Sequence, residues 1–365
     1  MKIIHTADLH LDSKMNANFP LNKAVERRHE LLKNFERMVE FSKENGVEAI
    51  LIAGDLFDSD LVSNLALNFV EGQIRNNPEI TFYVLKGNHD DKIISSQIKN
   101  KPDNLRLFND EWTSYELSKS GRVKLYGAQF NEKEQFLEKS FILEDKDDIN
   151  LVVLHGQISE SGETGENDNI NLRFFKNKGI NYLALGHIHE YMKGRLDAEG
   201  IFVYPGCLEA RGFDECSLHG FVLLDIDEEK KSIKDTFIPF SLRNFYEVNV
   251  DIEGALTSED INFRIKEALK ESGAEKKDIV RVKLSGFLFA ESEKNPEYIK
   301  RTFRDEFYYF KLKDETKIKV NYEDYLYDKS LKGEFVRIVQ ASDLSEEMKG
   351  KVISKGLITL RGENT

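Results

Sequence analysis

Five short polar segments each follow a run of apolar residues, and this order constrains the fold more than any other feature of the sequence. The segments are Asp8-Leu-His10, Gly54-Asp55-Leu-Phe-Asp58, Gly87-Asn88-His89-Asp90, His155-Gly156 and Gly186-His187-Ile-His189. The apolar runs read as β-strands, and the carboxyl ends of strands in an α/β sheet meet at one edge. Segments spread over ~180 positions are therefore predicted to meet in one site.

Residues 1–240 alternate apolar runs with helical patterns, which is typical of βαβ units in a layered α/β fold. Helices are predicted over residues 23–45 and 61–77. Strands are predicted over residues 2–6, 49–53, 80–85, 150–154, 182–185, 220–226 and 232–237. Three glycines are predicted to let the backbone turn sharply before a functional residue, namely Gly54, Gly87 and Gly186.

The pattern changes near residue 243, where a second βαβ arrangement begins. Its predicted elements are strands over 245–250 and 279–284, helices over 258–272 and 296–304, and a closing strand pair over 307–312 and 317–320. The end of the chain reads as helical, with apolar stripes at Phe335, Ile338 and Val339 and at Met348, Val352 and Ile353. We therefore predict a catalytic domain over 1–242, a small α+β capping domain over 243–322 and a helical tail over 323–365.

The side chains of the five segments have the chemistry of a site for two metal ions. Imidazole and carboxylate together suit borderline divalent ions such as manganese, iron or zinc. Asp55 can bridge two ions, His187 and His189 can reach different ions from one loop, and Asn88 adds a neutral ligand. Two ions ~3.5–4 Å apart can turn a bridging water into hydroxide and bind both oxygens of an in-line displacement at phosphorus. His89, beside Asn88, is then positioned to protonate the leaving oxygen.

The ordered set resembles the calcineurin-like metallophosphoesterase superfamily, whose motifs run D-x-H, GD, GNH[DE], H and GHxH. The resemblance covers roughly residues 1–240 and implies a two-sheet αββα sandwich. It also implies the ligands of each ion: Asp8, His10, Asp55 and His189 for one, and Asp55, Asn88, His155 and His187 for the other. His89 would then be the catalytic histidine that binds no metal.

Within that superfamily, three segments resemble the SbcD/YhaO type of DNA repair exonuclease. They are IHTADLHL at 4–11, AGDLFD at 53–58 and YPGCLEARGF at 204–213. This resemblance implies a manganese-dependent 3′→5′ exonuclease, with single-strand endonuclease activity as a further option. It also implies a homodimer that acts with an SMC-like ATPase of the SbcC or YhaN type. The second domain would cap DNA, the tail around 333–362 would dock the ATPase, and the exposed faces of the first two helices would form the dimer contact.

Several polar residues admit both a functional and a structural interpretation. Asp58 and Asp90 either orient a metal-bound histidine or cap the helix that follows. Archaeal and eukaryotic members of the family commonly have histidine at the position of Asp58, so the resemblance implies no role for this residue. Arg211 either contacts a phosphate or forms a structural ion pair. Four lysines either follow a DNA backbone or are solvated, namely Lys311, Lys313, Lys317 and Lys319. Histidines outside the motifs read as structural, and they are His5, His29 and His219.

The net charge of −13 argues against a nucleic-acid partner, because DNA-binding proteins usually carry a basic surface. Bound divalent cations would offset this acidity where a phosphate approaches. Two alternatives to the nuclease therefore stay open: a phosphoesterase of nucleotides, phosphoproteins or other small esters, and a non-catalytic scaffold. The scaffold is disfavoured because no ligand position is lost.

The sequence also predicts where the chain is found. No apolar run approaches the ~18 residues of a membrane span, and the first ten residues lack the pattern of a signal peptide. The two cysteines, Cys207 and Cys216, form no disulfide framework. A reducing cytoplasm is therefore the predicted compartment. Neither cysteine, nor the polar loop over 159–169, is assigned a function.

Overall fold

The computed structural model describes residues 1–16, 18–58, 62–87, 101–129, 140–159, 169–290 and 292–360. The chain divides into two compact units, Met1–Leu242 and Arg243–Thr365. A further boundary at residue 322 stays a prediction. Within the described ranges, no helix combines the length and apolar character that crossing a membrane requires.

The first unit contains two six-stranded sheets. Along the first sheet the strands are Ser232–Pro239, Gly220–Asp227, Lys2–Thr6, Ala49–Ala53, Thr81–Leu85 and Leu105–Leu107. Along the second they are Met192–Arg195, Ile201–Tyr204, Tyr182–Gly186, Ile149–His155, Val123–Gly127 and Thr113–Glu116. The central strands of both sheets are parallel to their neighbours, so their carboxyl ends share one edge. A short parallel pair, Gln157–Ser159 with Asn169–Asn171, completes the unit.

Apolar side chains from both sheets interlock in one core. Leu51 and Ala53 of the first sheet share it with Leu151, Val153 and Ala184 of the second. Every residue of Ala49–Ala53 is buried, because the opposite face of the first sheet is covered as well. Strands buried on both faces read as continuous apolar runs, which is why the sequence predicted them well. The predicted two-sheet α/β sandwich is confirmed.

Two helices accompany the first sheet. Helix Leu21–Glu44 packs Phe41 against Phe221 of that sheet, with the ring centroids 5.2 Å apart. Helix Asn64–Arg75 begins after Ser63, whose side chain accepts a hydrogen bond from the backbone N–H of Ala66. That cap explains why the helix starts later than the predicted residue 61.

Several strands were not predicted from the sequence, among them Leu105–Leu107, Val123–Gly127 and both edge strands of the second sheet. Thr113–Glu116 and Met192–Arg195 are half-buried or exposed throughout, and neither contains an apolar run. They are strands because a neighbouring strand supplies their hydrogen bonds, not because of their own composition.

The second unit is a parallel βαβαβ arrangement. Its sheet orders Phe245–Asp251, Ile279–Ser285 and Tyr309–Asp314, with helices Ser258–Ser272 and Pro296–Phe303 between them. The predicted closing strand pair is wrong. Tyr309–Asp314 pairs with Ile279–Ser285, whereas Lys317–Lys319 pairs with Phe287–Phe289. Side-chain alternation identifies a strand but not its partner, and Phe287–Phe289 was not recognised as one.

The chain ends in a 3-10 turn, Tyr322–Tyr325, and two helices, Leu331–Gln340 and Glu346–Leu360. Their core contains Tyr325, Val336, Val339, Ile353 and Leu357. Of the residues in the predicted stripes, Ile338 is 62% exposed and Met348 is 49% exposed. The periodicity identified the helices but did not show which apolar residues face their core.

Candidate metal centre

Six of the predicted ligands lie in the described part of the chain, at the carboxyl ends of neighbouring strands. Asp8, His10 and Asp55 follow strands of the first sheet, and His155, His187 and His189 end or follow strands of the second. The predicted ligand Asn88, the predicted catalytic residue His89 and the predicted orienting residue Asp90 lie outside the described residues.

The carboxylates and imidazoles form two overlapping groups. Ligand atoms of Asp8, His10 and His189 all lie within 4.8 Å of one another, and the same holds for Asp8, Asp55 and His155. Oδ2 of Asp55 lies 3.8 Å from Nε2 of His10 and 3.6 Å from Nε2 of His155. Asp55 thus stands between histidines of both groups, as a bridging carboxylate would.

His187 approaches the same place from the second sheet. Its ring centroid lies 5.5 Å from that of His155, and the rings are nearly perpendicular. Its backbone N–H donates to both carboxylate oxygens of Asp8, at 3.0 Å each. The structure therefore brings all six described ligand candidates together.

The backbone of these residues is strained. Positive φ angles occur at Asp8 (51°), His10 (41°), Asp55 (50°) and His187 (104°). Residues other than glycine rarely adopt backbone conformations with positive φ, and each such residue costs on the order of 1–3 kcal/mol. Hydrogen bonds from the backbone N–H of Asp8 to the carbonyl oxygen of Gly54 (3.1 Å) and from that of His10 to Asp55 (3.0 Å) hold two of them. Strain concentrated on predicted ligands points to a functional constraint.

Two of the predicted turn glycines serve close approach instead. A Cβ at Gly186 would lie 1.8 Å from the carbonyl oxygen of Ala53, and one at Gly87 would lie 2.1 Å from Oδ1 of Asp55. Gly54 does have the positive φ that a sharp turn requires, at 93°, whereas Gly87 and Gly186 do not have a positive φ. The sheets meet so closely at this edge that a methyl group does not fit.

We expect Gly186→Ala to lower the free energy of unfolding by about 3 kcal/mol, the upper end of the usual cost of overpacking, because the added methyl group meets backbone. Gly72→Ala is the matched control. Gly72 lies in helix Asn64–Arg75 with nothing within 4 Å of its added Cβ. That control should stabilise the protein by roughly 0.5–1 kcal/mol. Urea unfolding in the presence of chelator measures both, and equal effects would contradict the steric argument.

The hydrogen bonds of His155 prepare it to bind a cation. Its Nδ1 lies 2.9 Å from the carbonyl oxygen of Ala53, which can only accept, so Nδ1 carries the proton. Nε2 is then left with a lone pair. Among the described residues this buried atom has no hydrogen-bond partner, and it lies 3.6 Å from Oδ2 of Asp55. A lone pair beside a carboxylate is unfavourable unless a cation joins them, so the donor set fits a divalent metal ion.

His10 and His189 face each other in the same way, with their Nε2 atoms 3.1 Å apart. Nδ1 of His189 donates to Oε1 of Glu215 at 2.7 Å, and Nδ1 of His10 lies 3.3 Å from Oδ1 of Asp58. Each imidazole thus has a carboxylate behind it and its second nitrogen toward the site. If both rings are neutral with their protons on Nδ1, their Nε2 lone pairs face the same place, and a cation bound by both would satisfy them.

The charges of these groups depend on one another. Burial works to lower the pKa of His189, but the hydrogen bond to Glu215 and the charge of Asp8 outweigh it and raise the pKa. Burial works to raise the pKa of Glu215, but its hydrogen bonds to His189 and the Arg211 backbone lower it to about 2. Burial raises the pKa of Asp8, and the Asp55 carboxylate adds to that effect. Negative charge is therefore concentrated here and calls for cations.

Glu215 was missed by the sequence reading, and its partners show why. It lies 26 residues after His189 and two residues beyond the 204–213 segment, so no local pattern links it to the site.

Arg211, which was predicted to contact a phosphate or to form an ion pair, donates from Nη1 to Oδ1 of Asp58 at 2.5 Å. Asp58 lies close to His10 rather than capping the next helix.

The histidines outside the motifs have protein partners. Nδ1 of His5 lies 2.9 Å from the hydroxyl of Tyr182, and Nδ1 of His29 lies 2.9 Å from a backbone oxygen of its own helix. His219 contacts Sγ of Cys207 at 3.1 Å. Cys207 is fully buried and burial raises the pKa of its thiol, so it lacks the features of a reactive cysteine.

Comparison with known proteins identifies similar phosphoesterases, in agreement with the residues found at the site. The profile of the calcineurin-like phosphoesterase family matches residues 1–191. YhaO of Bacillus subtilis, described as an uncharacterized metallophosphoesterase, is 29% identical over 238 residues, covering 62% of this chain and 57% of YhaO. The SbcD component of the nuclease SbcCD from Staphylococcus epidermidis is 25% identical over 292 residues, covering 69% of this chain and 73% of that protein.

The DNA double-strand break repair protein Mre11 of Methanopyrus kandleri is 23% identical over 314 residues, covering 77% of this chain and 67% of that protein. The chain thus spans just over half the length of YhaO and about two thirds or more of the other two. Both of the longer matches extend well past the 191 residues of the family profile.

Proposed function

The chain belongs to the calcineurin-like phosphoesterase family, and from that premise we propose that it is a two-metal nuclease that hydrolyses phosphodiester bonds in DNA. The observation that carries the proposal is the convergence of Asp8, Asp55 and three imidazole Nε2 atoms at one edge of two sheets. We assign Asp8, His10, Asp55 and His189 to one ion and Asp55, Asn88, His155 and His187 to the other. Manganese is the proposed metal: the imidazole and carboxylate donors suit manganese, iron or zinc, and the resemblance to SbcD/YhaO-type exonucleases selects manganese among them.

The residues of the chain have separate tasks in this proposal. When bound, two divalent ions would activate a water molecule and stabilise charge at phosphorus. The carboxylates of Asp8 and Asp55 balance the positive charge of the ions. The backbone carbonyl of Ala53 fixes His155 in the tautomer that presents Nε2. His89 is proposed to donate a proton to the leaving oxygen.

DNA is proposed as the substrate because the likeness to two relatives extends beyond the phosphoesterase core. One of them is a component of a nuclease and the other a DNA double-strand break repair protein. We propose 3′→5′ exonuclease activity, with single-strand endonuclease activity as a further option. A cytoplasmic homodimer acting with an SMC-like ATPase is part of the same proposal. The net charge of −13 favours a second candidate, a phosphoesterase of small esters.

The test compares two substrates, 3′-labelled duplex DNA and bis-p-nitrophenyl phosphate, each with manganese or with chelator. Metal-dependent release of nucleotides supports the nuclease. Turnover of the small diester with intact DNA supports the second candidate. Absence of hydrolysis with either substrate overturns the proposed chemistry.

His89→Ala is expected to retain manganese but lose hydrolysis, because the proton donor is removed while the ligands stay. The magnitude expected for general acid catalysis is roughly 10²–10⁴-fold. His29→Ala is the control, since His29 is an exposed histidine on the first helix whose Nδ1 contacts its own backbone. Manganese content by atomic absorption and initial rates are measured on both. Hydrolysis retained by His89→Ala would refute the role of His89.

A further inference from the structure

A chain of contacts runs behind His10 and His189 and joins them. Nδ1 of His189 donates to Oε1 of Glu215 at 2.7 Å, and Oε2 of Glu215 accepts from the backbone N–H of Arg211 at 2.6 Å. The Arg211 side chain donates from Nη1 to Oδ1 of Asp58 at 2.5 Å, and this oxygen lies 3.3 Å from Nδ1 of His10. The Nε2 atoms of the two histidines, 3.1 Å apart, close the ring.

This ring bears on which nitrogen of each histidine carries the proton. The ionised carboxylate of Glu215 can only accept a hydrogen bond, so Nδ1 of His189 is the donor, and the Asp58 carboxylate, 3.3 Å from Nδ1 of His10, favours a proton on that nitrogen as well. In the neutral form both Nε2 atoms then carry lone pairs, and both point to the same place. We propose that Asp58, Arg211 and Glu215 form a brace that holds His10 and His189 in the tautomer and orientation that bind one divalent cation. The proposal rests on the metal-dependent function proposed above and adds Glu215 and the linking role of Arg211 to it.

Arg211 is the residue that makes the brace a single unit. Its side chain is 21% exposed and pairs with Asp58, while its Nη2 lies 3.7 Å from Oε1 of Glu215. One planar guanidinium therefore lies between the two carboxylates and offsets their mutual repulsion. Lysine carries a point charge and cannot reproduce this geometry. Arg211 is a positioning residue here: it acts on the ligands through the two acids, and its Nη2 also lies 3.4 Å from Nδ1 of His189.

The segment over residues 209–215, which contains Arg211 and Glu215, is held in place by hydrogen bonds to helix Leu21–Glu44. Glu209, two residues before Arg211, accepts hydrogen bonds from Nη2 of Arg27 at 2.9 Å and from Nδ2 of Asn34 at 2.9 Å. Arg27 also donates to the carbonyl oxygen of Ala210 at 2.9 Å. Helix Leu21–Glu44 thereby holds the backbone from which Arg211 and Glu215 reach the site.

The first test reads the tautomer without metal or substrate. Long-range ¹⁵N NMR of the metal-free protein, at alkaline pH where imidazoles are neutral, distinguishes a proton on Nδ1 from one on Nε2. The signals of His189 are identified because they are absent from the spectrum of His189→Gln. Wild type is expected to show the proton of His189 on Nδ1, and Glu215→Ala is expected to move it largely to Nε2. A proton that stays on Nδ1 in Glu215→Ala would overturn the proposal.

The second test measures manganese affinity by calorimetry. Removing an outer partner of a metal-bound histidine typically weakens affinity about 10- to 100-fold, and this loss is expected for Glu215→Ala and for Asp58→Ala. Arg211→Lys should show a similar loss, whereas Glu215→Gln, which keeps an acceptor oxygen, should recover part of it. Glu144→Ala removes an exposed acid paired with Lys124 and should change nothing.

Because Arg211 links the two acids, the combined loss in Glu215→Ala/Asp58→Ala is expected to be smaller than the product of the single losses. Wild-type affinity in both single variants, with unchanged melting temperatures, would refute the brace. These readouts are independent of hydrolysis. If wild type binds manganese but cleaves neither substrate, the proposed function fails while the brace is still decided by affinity and tautomer.

Discussion

Replacing Asp8 with Asn is expected to abolish metal-dependent hydrolysis and, at the same time, to stabilise the metal-free protein. Asp8 is 1% exposed and belongs to both groups of ligand atoms. Losing its charge removes transition-state stabilisation of several kcal/mol, which corresponds to about a thousandfold or greater loss of rate. Without metal, however, the same charge is buried near Asp55 and opposes folding.

The pH dependence of this stabilisation has a definite sign. Burial raises the pKa of Asp8 in the folded protein above its ordinary value. A group of this kind favours folding at pH below its unfolded pKa, and that contribution is lost as the pH rises through the folded pKa. In chelator, the advantage of Asp8→Asn over wild type should therefore be larger at neutral pH than in acid.

Urea unfolding at both pH values, with and without manganese, measures this prediction. Asp227→Asn is the control, since Asp227 is paired with Lys230 at the surface and its side chain is 39% exposed. An Asp8→Asn protein that is less stable than wild type in chelator at neutral pH would show that the metal-free site is not strained by its charges.

Replacing Arg27 with Met is expected to lower the free energy of unfolding by about 3–5 kcal/mol, the usual cost of leaving a buried charge without its partner. The Arg27 side chain is fully buried, and it pairs with Glu209, whose side chain is 1% exposed, at 2.9 Å. The side chain of Glu30 lies 2.5 Å from Nη1 of Arg27. In the variant, the carboxylate of Glu209 loses the guanidinium of Arg27 but keeps the side-chain amide of Asn34 and the backbone N–H of Leu242 as donors.

The double variant Arg27→Met/Glu209→Gln tests this explanation, since it removes both charges and should recover much of the lost stability. Lys230→Met, which breaks an exposed ion pair, should stay within about 0.5 kcal/mol of wild type. Equal instability of the single and double Arg27 variants would mean that lost packing, rather than the unpaired charge, causes the effect.

Most of the central strands and the candidate ligands were predictable from the sequence for one shared reason, although the interior strand Val123–Gly127, interrupted by Lys124, was not predicted. Strands such as Ala49–Ala53 are buried on both faces and therefore uniformly apolar, so the first polar residues after them stand out. Asp55 and His155 were found in this way. The parallel order of the strands then implied that the segments meet, and the structure brings the described ones together.

Features that depend on distant partners could not be predicted in this way. Glu215 acquires its position from His189 and Arg211, and nothing in its own neighbourhood distinguishes it from other surface acids. Strand Lys317–Lys319 pairs with Phe287–Phe289 and not with the strand before it, because pairing is decided by the packing of whole layers. The positive φ of His187 is imposed by tertiary contacts, since histidine itself disfavours it.

The six described ligand candidates come in equal numbers from the two sheets, three from each. In the proposed two-metal site, sliding one sheet over the other would therefore change the distance between the two ions. The interior layer that resists such shear contains Leu51 of the first sheet and Leu151 of the second. If the proposed function holds, packing among these aliphatic side chains would set the distances between the ligands, so substitutions in the hydrophobic interior would change the catalytic rate.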